Sequence, residues 1–198
     1  MKKVGVLISG RGSNLGALIA AQSAAGPYKI VLVISNVESA AGLERARAAG
    51  IAAQFIPHKG KPREIFDDEL DRALRAAGVE IVCLAGFMRI LSEKFARAWE
   101  GRLLNIHPSL LPDYKGTDVH ERVIAARETK SGASVHFVVP ELDDGPVVAQ
   151  ATVPVHPGDT PEVLAARVLE AEHKIYPQAL KLLAEGKVRL ERGLAVFA

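Results

Sequence analysis

Lys3-Val4-Gly5-Val6-Leu7-Ile8-Ser9-Gly10-Arg11-Gly12-Ser13-Asn14 is the run whose reading decides the fold. Residues 3–9 read as a strand buried on both faces, since Val4 to Ile8 run without a polar alternate. Gly10 and Gly12 break the strand, and Leu15, Leu18 and Ile19 then recur at helical spacing, so the order is strand, glycine loop, helix. The unit returns downstream. A continuous apolar strand at 29–35 precedes a helix through Leu43, Ala46 and Ala49 that closes at Gly50, and a third strand follows at 51–56. Residues 63–77 carry Ile65, Phe66, Leu70, Ala73 and Leu74 on one helical face, with Gly78 at the C-cap, before another apolar strand at 79–85. Strands apolar on both faces and separated by helices predict a doubly wound α/β fold with a mostly parallel sheet.

The second half changes character. Ser92 is placed to N-cap a short helix to Glu100, with Phe95 and Trp99 on one face. A strand at 102–106 runs into a polar stretch at 113–118, and a helix begins near Val119. Strands at 132–139 and 147–155 flank Glu141-Leu142-Asp143-Asp144-Gly145-Pro146, which predicts an antiparallel pair toward the C-terminal end. Thr160 as N-cap and Pro161 at the first helical position open a long helix to about Ala184, and 187–197 has weak strand character. With no repeat and no linker, the expectation is one domain over residues 1–198.

Composition excludes several classes. At 48% hydrophobic and 24% charged the chain is an ordinary globular one. A net charge of +2 leaves no basic stripe for nucleic acid, only room for local anion sites. Cys83 is the sole cysteine, so an internal disulfide or a cysteine-based zinc site is excluded, and its apolar surroundings read as core. The N-terminal apolar run is too short to span a membrane and lacks a cleavage motif, so a cytoplasmic location is expected. No H-E-x-x-H or similar spacing occurs, and no metal is expected. Only three Asn and four Gln are present, a depletion typical of proteins from hot environments.

Three stretches carry candidate chemistry. Gly10-Arg11-Gly12-Ser13-Asn14 presents a helix N-terminus to an anion, with a phosphate monoester favoured over a purely structural turn. A dinucleotide fits less well, because Leu15 stands where a third glycine belongs and Ser35-Asn36 offers no ribose-binding acid. Gly86-Phe87-Met88-Arg89-Ile90-Leu91 follows a strand at its carboxyl end, where ligands sit in such sheets. It reads as the wall of a pocket for a flat, partly apolar ligand or as core with a solvated Arg, and spacing alone favours the core.

Leu103-Leu104-Asn105-Ile106-His107-Pro108-Ser109-Leu110-Leu111-Pro112 is the third. In an extended segment Asn105 and His107 share a face, and Pro108 biases His107 toward that conformation. An amide donor beside an imidazole suits a carbonyl that becomes an oxyanion, although a plain strand exit with a surface His reads equally well. Asp143 could fix the tautomer and charge of a His, or serve only as a turn former, and the sequence does not place it against His107. His58 and His156 adjoin turns and read as surface, His136 as a supporting group within a strand.

Taken with Ser134-Val135-His136-Phe137-Val138 and Glu172-His173-Lys174-Ile175-Tyr176-Pro177, these stretches resemble the folate-dependent phosphoribosylglycinamide formyltransferase family over nearly the whole chain. The resemblance implies a Rossmann-like formyltransferase fold, with a phosphate-binding half at 1–100 and a catalytic and folate-binding half at 101–198, and transfer of a formyl group from 10-formyltetrahydrofolate to the amine of glycinamide ribonucleotide in purine synthesis. It implies that Gly12, Ser13 and Asn14 hold the substrate phosphate and Glu172 its ribose. Arg63, Met88, Arg89, Ile90 and Leu91 would line the folate site, and Asn105, His107 and Asp143 would be catalytic. The partners would be these two small molecules, with neither nucleic acid nor membrane, and a homo-oligomer stays open. The chain departs from the usual pattern at Asp144, where a glycine is usual, and at Lys115, where a proline is usual. Asp118, Ser131 and Ala133 are further departures. Rival readings are a formyl-folate hydrolase, a methionyl-tRNA formyltransferase and a silent nucleotide-binding module. The first two usually carry an extra domain for which this chain has no room.

Overall fold

The computed structural model describes all 198 residues. A seven-stranded sheet runs in the order β3 (Ala52–Phe55), β2 (Tyr28–Ser35), β1 (Lys2–Ile8), β4 (Ile81–Leu84), β5 (Leu103–His107), β6 (Lys130–Phe137), β7 (Val147–Pro154). The first five are parallel, and β6 pairs antiparallel with both β5 and β7. The expected doubly wound sheet with an antiparallel pair at its C-terminal end is therefore what forms. Helices α1 (Ser13–Ala20), α2 (Ala41–Ala48), α3 (Arg63–Ala76), α4 (Glu93–Ala98), α5 (Val119–Ala125) and α6 (Pro161–Ala184) accompany it, and β8 (Val188–Glu191) and β9 (Leu194–Phe197) make a separate hairpin.

Two apolar clusters pack the sheet. One joins β1, β4 and β6 to α1 and α6 through Val6, Leu15, Val135 and Tyr176, and the other joins Leu7, Ile34 and Val82 to Phe66, Leu70 and Trp99 of α3 and the α4 end. Burial on both faces explains the unbroken apolar strands. β3 differs, being a partly exposed edge strand with one neighbour. The caps form as their residue types dictate: Ser92 Oγ accepts from Phe95 N at 3.2 Å, and Thr160 caps α6. Cys83 is fully buried, and burial pushes its thiol up to about 12, which removes it as a nucleophile. No helix is long and apolar enough to cross a membrane.

Candidate active site

The carboxyl ends of β4 and β5, the 113–121 segment and the β6–β7 turn enclose a cavity of about 750 Å³, within the size range of small-molecule sites. Asn105, His107, His136 and Asp143 all line it. Asn105 and His107 sit two apart on β5 and so face the same way.

Hydrogen-bond chemistry settles how these groups are oriented. His136 Nδ1 lies 2.8 Å from the carbonyl of Phe137, which can only accept, so Nδ1 carries the proton. Burial lowers the tendency of His136 to charge, which leaves its Nε2 a bare acceptor. The Asn105 amide, 3.2 Å away, must therefore present its NH2 group there, and its second N–H is free for the cavity. For His107 the same logic puts a proton on Nε2, which donates to the Tyr114 carbonyl at 2.9 Å. Its Nδ1 then faces Asp143 Oδ2 at 3.4 Å. Both ring nitrogens of His107 thus face oxygen acceptors. The Nδ1–Oδ2 distance exceeds the usual hydrogen-bond range of about 2.7–3.2 Å, so Nδ1 is not tied to the carboxylate. Asp143 is held in turn by the Gly116 N–H at 3.0 Å and lies 3.7 Å from His136 Nε2.

At the other end of the site, Gly12 precedes α1 in a left-handed conformation (φ 69), and the first N–H groups of the helix are without intrahelical partners. Gly42 of α2 presses against this loop: a Cβ there would lie 2.3 Å from Ile8 Cδ1 and 3.2 Å from the carbonyl oxygen of Gly10. Asn14 Nδ2 donates to Glu172 Oε2 on α6 at 2.8 Å, while Asn14 Oδ1 is buried without a partner. Burial raises the Glu172 carboxyl above its ordinary value, partly offset by the Asn14 bond.

Ser9 connects the two ends. Its hydroxyl accepts from Met88 N at 2.7 Å and donates to Asn36 Oδ1 at 2.6 Å, and its N–H donates to the carbonyl of Gly86. Met88 and Ile90 are not core: they are 78% and 53% exposed at the cavity rim. Leu91 and Arg89 also line the cavity, the Arg89 guanidinium lying over the Phe66 ring at 4.8 Å.

Arg63 is exposed at the start of α3 and does not line the cavity. The cavity draws on both 84–91 and 105–143, and Glu172 accepts from Asn14 of the glycine loop. His58 is half-buried, with Nδ1 2.9 Å from the Asn36 carbonyl, whereas His156 is exposed as expected. Sequence reasoning missed Gly42, Ser9, the Tyr114 carbonyl and the Gly116 N–H. The last two are backbone groups, which carry no residue-type signal.

An amide, an imidazole and a carboxylate are thus gathered at the carboxyl edge of a mostly parallel sheet, and the chain matches a transferase family: the formyl transferase model covers residues 2–180. A phosphoribosylglycinamide formyltransferase from Haemophilus influenzae is 44% identical over 197 residues, covering 98% of this chain and 93% of that protein. The crystal structure of glycinamide ribonucleotide transformylase 1 from Symbiobacterium toebii superposes with TM-score 0.95 at 42% identity, over 100% of this chain and 94% of that one. The trifunctional purine biosynthetic protein adenosine-3 of Drosophila pseudoobscura is 55% identical over 192 residues, which are 95% of this chain but 14% of that protein. The chain belongs to the formyl transferase family, on its phosphoribosylglycinamide formyltransferase branch.

Proposed function

We propose that the chain transfers the formyl group of 10-formyltetrahydrofolate to the amine of glycinamide ribonucleotide, a step of purine synthesis. The observation that carries this reading is the convergence of Asn105, His107 and Asp143 on one cavity. Its apolar rim at Met88, Ile90 and Leu142 suits the flat ring of a folate, and the partnerless Asn14 Oδ1 suits a polar substrate group. The α1 N-terminus at Gly12, Ser13 and Asn14 would hold the phosphate, and Glu172 the ribose. Met88, Arg89, Ile90 and Leu91 would hold the folate. Arg63 joins them only if its exposed side chain swings to the ligand.

In the reaction a C–N bond forms between the amine and the formyl carbon, and the bond from that carbon to the folate nitrogen breaks. Asn105 and the Nδ1–H of His107 donate to the formyl oxygen as it gains negative charge. Asp143 faces the imidazole and takes the proton lost by the amine, for return to the departing folate nitrogen. Orientation of both substrates in one cavity makes a covalent enzyme intermediate unnecessary.

The test is consumption of 10-formyltetrahydrofolate by the purified chain with and without glycinamide ribonucleotide. Consumption that depends on the ribonucleotide is expected. Equal consumption without it would indicate a hydrolase, and none in either case a silent binding module.

A further inference from the structure

We propose that Lys115 and Asp144 form a clamp that positions the backbone of residues 114–116 against the His107–Asp143 pair. Tyr114 and Gly116 each hold one group of the site, and Lys115 between them pairs across to the β6–β7 turn. The Tyr114 carbonyl accepts from His107 Nε2 at 2.9 Å, Lys115 Nζ pairs with Asp144, and the Gly116 N–H donates to Asp143 Oδ2 at 3.0 Å. The ion pair thus lies between the hydrogen bond that fixes the imidazole and the one that fixes the carboxylate. Both sides of this junction need holding. Tyr114 and Asp143 are non-glycine residues at φ 54 and φ 49, in the left-handed region that side chains disfavour.

A second tie comes from α5, where Arg122 Nη1 donates to the carbonyls of Lys115 at 2.7 Å and Thr117 at 3.2 Å and the guanidinium lies over the Tyr114 ring. The Lys115 and Asp144 side chains are 37% and 54% exposed, so water screens the pair and its part in global stability is small. Its effect is local, on the separation of two catalytic groups that a shift of a few tenths of an ångström would mistune. The charge pair spans the two loops that carry these groups. Neither residue touches substrate; both act through the backbone of their neighbours.

The clamp rests on the formyl-transfer reading only where turnover is the readout, so two measurements are paired. In the first, kcat and KM are compared for the intact chain, Lys115→Met, Asp144→Asn and the exchanged pair Lys115→Asp with Asp144→Lys. Each single variant is expected to lose roughly 3- to 5-fold in kcat, the scale of one exposed ion pair, with KM for the ribonucleotide little changed. The exchanged pair is expected to recover most of the loss. High salt should lower kcat of the intact chain toward the singles and leave the singles unaffected. In the second, NMR follows exchange of the His107 Nε2–H with water, which needs no turnover. Exchange should quicken in each single and slow again in the exchanged pair. Singles with intact kcat and unchanged exchange would overturn the clamp, as would losses that merely add in the exchanged pair. An intact chain that transfers no formyl group would refute the enzyme reading, and the exchange measurement would still decide the clamp.

Discussion

Asn105 has one amide N–H spent on His136 and one left for the cavity, and that economy determines what its loss would do. Asn105→Ala removes one oxyanion donor and His107→Ala a second, so each is expected to lower kcat by at least ~10²-fold in the formyl-transfer assay, with the fold intact. This pair could be read from the sequence, because the two-residue period of a strand and the proline after His107 fix their common face. Asp143 could be named but not placed: its approach to His107 depends on how the β6–β7 turn folds back, which no local pattern encodes. Glu172 is a different kind of residue. Burial holds its carboxyl above its usual value, so from that usual value upward through the raised one the folded state keeps a proton the unfolded chain gives up. Stability falls as pH rises through that window and stays lowered above it. Glu172→Gln is therefore expected to raise Tm near neutral pH by about 2–4 °C, the reading of ~1 kcal/mol in a chain of this size. The gain should vanish at pH values below the ordinary carboxyl range. KM for the ribonucleotide should rise in the same variant, and thermal scans at two pH values beside a KM measurement check both halves.

Among the elements, α2 acts on the site without contributing a ligand. Gly42 lets its first turn lie directly against the glycine loop, and Gly42 N–H donates to the Gly10 carbonyl at 3.0 Å. Gly42→Ala would drive a methyl into Ile8 and the loop backbone. We expect a cost of about 1–3 kcal/mol in stability and a KM for the ribonucleotide that rises while kcat changes less. A KM equal to that of the intact chain would show that the loop's shape is held otherwise. Sequence patterns placed every helix and strand of the sheet to within a few residues, because caps such as Ser92 and Thr160 and apolar runs are local signals. Sheet order is not local. That β1 lies between β2 and β4, and that β3 ends as a half-exposed edge, follows from crossover packing between distant segments. The departures at Lys115 and Asp144 looked independent along the chain for the same reason: only the folded sheet brings the two loops together.

For the molecule as a whole, composition and surface point the same way. Ion pairs such as Lys2–Glu80, Lys61–Glu69, Lys94–Asp68 and Arg167–Asp159 join segments that are apart in the chain. Together with the scarcity of thermolabile side chains this leads us to expect thermal unfolding above the mesophile range of ~45–65 °C. Calorimetry giving Tm within that range would remove the inference. The three asparagines that remain are Asn14, Asn36 and Asn105, and each has its side-chain amide in a hydrogen bond at the working edge of the sheet. Such an amide is the first group that heat hydrolyses in a protein, by attack from the neighbouring backbone nitrogen. An anchored side chain on an ordered backbone cannot reach the geometry for that attack. The bonds that orient these groups for a ligand thus also preserve them, and loss of these three amides when hot should wait on unfolding.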